Sequence, residues 1–303
     1  ELTLEELGCP VDPAVDFGVI MDASIYGGKV HYESNATPTL VPVVQEPEEI
    51  DALVDEMDSL DDSALLERGL IPLMMEWRSL IKQDYGVDLS YGTSMKGCAT
   101  MMGQICGLTN FLTWILTDPE PISRLCDCWG RTSQRYVKAL RTATGTPESQ
   151  RGFSFQSDVA GMLSNDMYTE FIKKHEEAMY LIFAPQKADL RYFHADYHMK
   201  HLLPSFREMG VNAVNIDPYI DCNAILEILP DCVIYGQIPP TSVLLYGSKE
   251  DVAACVRRDI DQAGPGHHLI ISTAGSINPG TGFEQLRTII ETAVQYGKIY
   301  DNH

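Results

Sequence analysis

The stretch Asp189-Leu-Arg-Tyr-Phe-His194-Ala-Asp196-Tyr-His198-Met-Lys-His201-Leu-Leu-Pro-Ser-Phe206 decides the reading of the chain. A short apolar strand, Leu190 to Phe193, stops at His194, Asp196, His198 and His201, and an amphipathic helix is expected from about Met199. Ligand-type side chains placed where a strand ends point to an α/β protein, because loops at the carboxyl ends of parallel strands converge on one mouth.

Downstream of residue 150 the rhythm is regular. Strands are predicted to end near Gln156, His194, Asp217, Gln237 and Ser272, with helices near 165 to 184, 199 to 209, 222 to 229, 248 to 263 and 283 to 297. Such spacing is a βα repeat, with connections long enough for parallel crossovers. Adding a strand at Leu89 makes six, a closed barrel needs eight, and the other two are assigned to the N-terminal third or upstream of Glu1. Ser94, Asp158, His194 with Asp196, Asp217, Gln237, and Ser272 with Ser276 stand at these strand ends. A (β/α)8 barrel gathers them around one mouth, whereas a doubly wound sheet divides them between two crests.

Upstream, residues 1 to 85 read as a preface. Gly27-Gly28 signals a turn, and Lys29 to Glu33 with Thr39 to Val44 reads as an antiparallel pair. Pro47-Glu-Glu opens one helix, and Leu70 to Tyr85 forms another that ends at Gly86. A strand over Val87 to Gly92 and helices over 99 to 116 and 119 to 144 follow, with Trp114 and Trp129 turned inward. No composition break divides the chain. The expectation is one α/β domain over 1–303, a (β/α)8 TIM barrel with an α/β N-terminal preface (1–85) and regular repeats (86–303).

The 303 residues are 45% hydrophobic, enough for a substantial core. The net charge of −21 argues against a nucleic-acid partner, since such binding rests on Lys and Arg neutralising phosphates. Eight cysteines without a Cys-x-x-Cys fit reduced thiols in a cytoplasmic, anaerobic protein. No apolar run reaches the roughly 20 residues of a membrane span. The chain begins at Glu1 rather than methionine, which leaves room for a missing N-terminal piece.

Several segments together resemble the uroporphyrinogen decarboxylase superfamily, and its corrinoid-dependent methyltransferase branch more than its decarboxylases. They are Phe155-Gln-Ser-Asp158-Val-Ala-Gly161 running on to Tyr168-Thr-Glu-Phe171, His194-Ala-Asp196, and Val211-Asn-Ala-Val-Asn-Ile. Tyr235-Gly-Gln237-Ile-Pro-Pro, Leu244-Leu-Tyr-Gly247 and Ile270-Ile-Ser-Thr-Ala-Gly275-Ser276 complete the likeness in order and spacing. Asn165 stands in place of the family's proline, and the arginine-rich N-terminal signature of the decarboxylases is not seen.

The resemblance implies a TIM barrel and a zinc site, built in the coenzyme M methyltransferases from His-x-Cys and a later cysteine. Those positions here are His194, Asp196 and Ser276, so the imidazole is kept and both thiolates are replaced by oxygen side chains. Candidate metal ligands are thus His194, Asp196, His198 and Ser276, with Glu177 as a substitute for His198. An oxygen-rich centre is harder and more Lewis acidic than a thiolate one, and suits an oxygen-bearing substrate. The same replacement also permits loss of the metal.

Candidate catalytic residues are His194, Asp158 and Asp196, and candidate substrate-binding residues are Asp217, Gln237, Ser94 and Tyr235. The plain alternatives are a hydrogen-bonded histidine at a strand end for His194 and a helix cap for Asp196. The implied activity is demethylation of an oxygen-bound methyl donor, an aryl methyl ether, with transfer to the Co(I) centre of a corrinoid protein. Zinc and a partner-borne corrinoid are the implied cofactors, and a second copy of the chain is admitted as a partner. Three alternatives remain open: a decarboxylase, methyl transfer from a methylcorrinoid to a thiol or folate, and a degenerate barrel without turnover.

Overall fold

The structure is a computed structural model and describes residues 17–34, 37–89, 91–147, 151–266 and 268–297. Two compact units emerge, Glu1–Gly92 with Met101–Gln150, and Thr93–Thr100 with Arg151–His303.

In the first unit, β1 (Val30–His31) and β2 (Thr39–Leu40) form the expected antiparallel pair, with Val30 opposite Leu40. Helices follow over Ile50–Ser59, Asp62–Leu66, Ile71–Tyr85, Leu108–Thr117 and Pro119–Thr144. The long helix Pro119–Thr144 buries Ile122, Leu125, Trp129, Tyr136 and Leu140, a stripe at helical spacing. Its outer flank holds Asp51, Asp58 and Asp62 with Arg124, Arg131 and Arg135, at 2.7, 2.6 and 2.9 Å. Exposed ion pairs of this kind add little stability.

The single helix expected over 99 to 116 is two, Cys98–Ile105 and Leu108–Thr117, because Gly107 adopts φ +81° between them. Trp114 and Trp129 are buried, as expected. No helix among the described residues is long and apolar enough to cross a membrane.

The second unit holds β3 (Ser94–Lys96), β4 (Phe153–Gln156), β5 (Arg191–Ala195), β6 (Ala213–Ile216), β7 (Val233–Tyr235) and β8 (Leu269–Ile270). All five pairings are parallel, and the strands lie in chain order. A doubly wound sheet reverses its order at a switch point, so the sequential order sets that alternative aside. The fold is α/β and TIM-barrel-like, and the described residues supply six of the strands that a closed barrel would need.

Helices Asn165–Met167 and Lys174–Phe183 enclose a π-helical stretch, Tyr168–Lys173, and together occupy the helix expected over 165 to 184. The helices Leu203–Glu208, Cys222–Ile228, Lys249–Ala263 and Phe283–Gly297 fall where the sequence places them.

One strand is corrected. Val87 to Leu89 has no strand, and the first parallel strand is Ser94–Lys96. Ser94 therefore opens a strand rather than ending one, and lies level with Ser154 and Tyr192. Val87-Asp-Leu alternates as a strand should, but parallel pairing, not alternation, selects three residues with a single apolar one.

Alternation sorts the strand side chains into two faces. Phe193 meets Phe206 on a covering helix at 4.3 Å between ring centres, and Phe155 meets Tyr180 at 5.1 Å. The residues between them, Gln156, Tyr192 and His194, must face the other way. Parallel register then sets Lys96, Gln156, His194 and Asn215 side by side.

A wholly buried carboxylate, Glu176, lies behind this sheet. It accepts the Tyr168 hydroxyl at 2.6 Å and the Cys98 backbone N–H at 3.0 Å. Gly97 leaves the room: a Cβ there would stand 2.6 Å from Glu176 Oε1. Burial raises the Glu176 carboxyl from 4.5 to about 7, although both donors pull it down. The native state thus holds a proton that the unfolded chain has released, and stability is expected to fall as pH rises from about 4.5 through about 7. Chemical denaturation across that range checks it; a Glu176→Gln variant should show a flatter profile.

Candidate active site

Two adjacent strand ends supply one cluster. Asp158 follows β4, His194 belongs to β5, and Asp196 follows it; one ligand atom from each lies within 4.8 Å of the others. The Asp196 backbone N–H donates to Asp158 Oδ1 at 2.6 Å, and His194 Nε2 stands 3.6 Å from Asp196 Oδ1.

The orientation of His194 is fixed from behind. Asn215 Nδ2 donates to the carbonyl oxygens of Tyr235 and of Thr273, the latter at 2.8 Å. Its Oδ1 accepts the Gly275 N–H at 3.1 Å and faces His194 Nδ1 at 2.8 Å. With both amide hydrogens committed, Asn215 has only an acceptor left for His194, so Nδ1 carries a hydrogen, and in the neutral ring Nε2 presents a lone pair to the two carboxylates. This is the arrangement of a metal-ligating histidine, whose other ring nitrogen donates to a supporting acceptor.

The donor set fits a divalent cation: one imidazole nitrogen and two carboxylates, on balance harder than a dithiolate centre. Burial is the largest influence on the Asp196 carboxyl and holds it above its ordinary value; His194 opposes this, Asp158 adds its like charge, and Lys96 opposes both. Gly275, at φ +104°, lets the backbone pass close by, since a Cβ there would lie 2.3 Å from Asp196 Oδ1.

Two cavities adjoin the cluster and share Ser276. One, of about 300 Å³, is lined by Gln156, Tyr192, His194, Asn215 and Tyr235 among others. Tyr192 and Tyr235 meet edge to face at 5.2 Å, and burial pushes the Tyr192 hydroxyl up to about 12. The other, of about 570 Å³, is lined by Asp196, His198, Asp217, Tyr219, Pro239 and Ser276 with six more residues.

Several expectations are corrected. His198 does not join the metal cluster, since its Nδ1 turns to Asp217. Glu177 is not part of the cluster either, and the neighbouring Glu176 is the one drawn into the core. Gln237 is only 1% exposed, with Nε2 donating to the carbonyl oxygens of Asp217 and Ile220, so it braces the site from behind rather than facing a cavity. Ser94 lies at the far end of its strand. Tyr235, Asp217 and Ser276 do line the cavities.

Asn215, Gln156, Tyr192 and Lys96 were missed. Asn215 had a readable signal, an amide inside the run Ala213-Val-Asn-Ile whose four residues are all buried. Lys96 had none, because its strand was placed elsewhere.

A larger cavity, about 830 Å³, lies at the amino ends of β5 to β7, beside Arg191, Asn212 and Cys232. Its Arg191 binds the carbonyl oxygens of Ala184 and Met209, at 3.0 and 2.6 Å, where two helices end. Cations suit helix carboxyl ends, which accounts for Arg191 without a ligand.

Residues 11–296 match the family described as Uroporphyrinogen decarboxylase (URO-D). The chain belongs to that family. Among its relatives, Methylated-thiol--coenzyme M methyltransferase of Methanosarcina mazei is 24% identical over 290 residues, 93% of this chain and 72% of that protein. Methylcobamide:CoM methyltransferase MtbA of Methanosarcina acetivorans is 22% identical over 263 residues, 83% of this chain and 72% of that protein. A solved structure, a methyltransferase from Methanosarcina mazei, superposes with a TM-score of 0.71 at 15% identity, over 93% of this chain and 79% of that one. That likeness shows the URO-D fold.

Calorimetric titration with Zn²⁺ is expected to reveal one site that His194→Ala abolishes. Asn215→Ala should weaken it by roughly 10- to 100-fold, because the supporting hydrogen bond is lost. Unchanged affinity in Asn215→Ala would remove that residue from the metal site.

Proposed function

We propose that this URO-D family protein is a corrinoid-dependent methyltransferase. It takes a methyl group from oxygen, in an aryl methyl ether, and passes it to the Co(I) centre carried by a corrinoid protein. The observation that carries the reading is the cluster of one imidazole and two carboxylates at the strand ends, in a chain whose relatives are named methyltransferases. Among the described residues, those lining the two adjoining cavities include no Arg or Lys, and Lys96 beside the cluster is a single cation, too few for the multiply anionic substrate of a decarboxylase.

Attack on the methyl carbon breaks the C–O bond and leaves both electrons on oxygen. The chain must therefore stabilise a developing phenolate. His194, Asp158 and Asp196 would hold a divalent ion, zinc or a harder metal, which supplies Lewis-acid stabilisation of that oxygen when bound. Asn215 keeps the His194 ring in its ligating tautomer, and Gln237 keeps Asp217 in place. Tyr192 and Tyr235 give the smaller cavity aromatic walls suited to a flat donor.

A second reading, transfer from a methylcorrinoid to a thiol, is favoured by the activities for which the relatives are named. The replacement of both expected cysteines by Asp196 and Ser276 counts against it, because thiol activation suits a softer centre.

Methoxybenzene with cob(I)alamin is expected to yield methylcob(III)alamin, followed by its absorption spectrum. His194→Ala should lower kcat/KM by roughly 100-fold or more, the scale of removing a group that stabilises transition-state charge. Methylation of a thiol by methylcob(III)alamin, with no demethylation of any ether, would establish the second reading instead.

A further inference from the structure

The cavity of about 570 Å³ contains a pair that the metal cluster does not use. His198 lines it, with Nδ1 against Asp217 Oδ2. Asp217 is 5% exposed and held from two more sides: its Oδ1 accepts the Tyr219 backbone N–H at 3.0 Å, and its carbonyl oxygen receives Gln237 Nε2 at 3.0 Å.

A carboxylate only accepts hydrogen bonds, so Nδ1 of His198 carries a hydrogen, and in the neutral ring the lone pair is on Nε2. Behind His198 the His201 ring is roughly parallel, 6.5 Å between centres, and is itself tied to the Leu163 carbonyl at 2.8 Å. Nε2 of His198 has no partner among the described residues, and its side chain is 62% exposed. The rest of the wall combines an apolar part, from Pro218, Tyr219, Pro239, Pro240 and Ala274, with the polar side chains of Asp196, Thr241, Ser276 and Asn278.

We infer that this cavity is a binding subsite for a neutral ring bearing a hydroxyl, a phenol, whose O–H donates to His198 Nε2 while Asp217 positions the imidazole. The inference rests on the methyl-ether reading. An aryl methyl ether that loses its methyl group to Co(I) keeps the C–O electron pair as phenolate, takes a proton from water, and becomes a phenol. The hydroxyl then separates product from substrate, because the ether has no hydrogen to donate. A site built to accept that hydrogen discriminates sharply against the analogue that lacks it.

Phenol and methoxybenzene are the probes, titrated into the full chain by calorimetry, with ¹⁵N resonances of His198 reporting its tautomer. Phenol is expected to bind at least tenfold tighter than methoxybenzene and to shift the His198 Nε2 resonance. In His198→Phe the preference should vanish; this exposed side chain can be replaced without disturbing the core. In Asp217→Asn the amide can face the ring with a donor, so the hydrogen moves to Nε2, the ¹⁵N pattern inverts and the preference is lost.

Equal binding of the two probes, no binding of phenol, or a preference that survives in both variants would overturn the inference. Demethylation of methoxybenzene is measured in parallel. Its absence alongside an intact phenol preference would sink the methyl-ether reading and leave the subsite standing.

Discussion

The hydrogen bond between Asn215 Oδ1 and His194 Nδ1 orders the candidate site. It links two adjacent parallel strands at one level of the sheet, so it exists only if β5 and β6 pair in this register. A shift by one residue would turn His194 towards the covering helices and Phe193 into the cavity. The same amide holds the β7 and β8 ends through the Tyr235 and Thr273 carbonyls. The ring that faces the carboxylates is therefore set by three neighbouring strands as well as by its own.

Charge in this region is arranged around that ring. Asp158 and Asp196 would repel each other at such separation without a cation or a proton, and the Asp196 carboxyl is raised chiefly by burial, to which that repulsion adds. A divalent ion resolves it, and so, in part, does Lys96. Behind the site a second carboxylate, Asp259, is wholly buried yet ion-paired with Arg258 and bonded to the Gln237 N–H at 2.9 Å. The Asp217 side of the site is thus backed by a polar brace that reaches helix Lys249–Ala263, whereas the His194 side is backed by backbone carbonyls.

Much of this was legible beforehand. The βα rhythm after residue 150, the helix end at Gly86, and the antiparallel pair near residue 30 all come from local signals, which act over a few residues. His194, Asp158 and Asp196 stood out as polar residues beside apolar strands. The strand at Leu89 failed because Val87-Asp-Leu has the better alternation and Ser-Met-Lys the better neighbours. His198 failed differently: its spacing from His194 fits a shared metal, but spacing does not say which way a ring turns.

By itself the amino-acid sequence determined that the chain is a parallel α/β protein with an imidazole and carboxylates at its strand ends, since periodicity and residue type are properties of short segments. Only the tertiary structure decided that Asn215 orients His194, that Gln237 braces rather than binds, and that His198 pairs with Asp217. Those choices depend on register between strands and on how donors and acceptors are shared among residues about 20 to 60 positions apart in the chain.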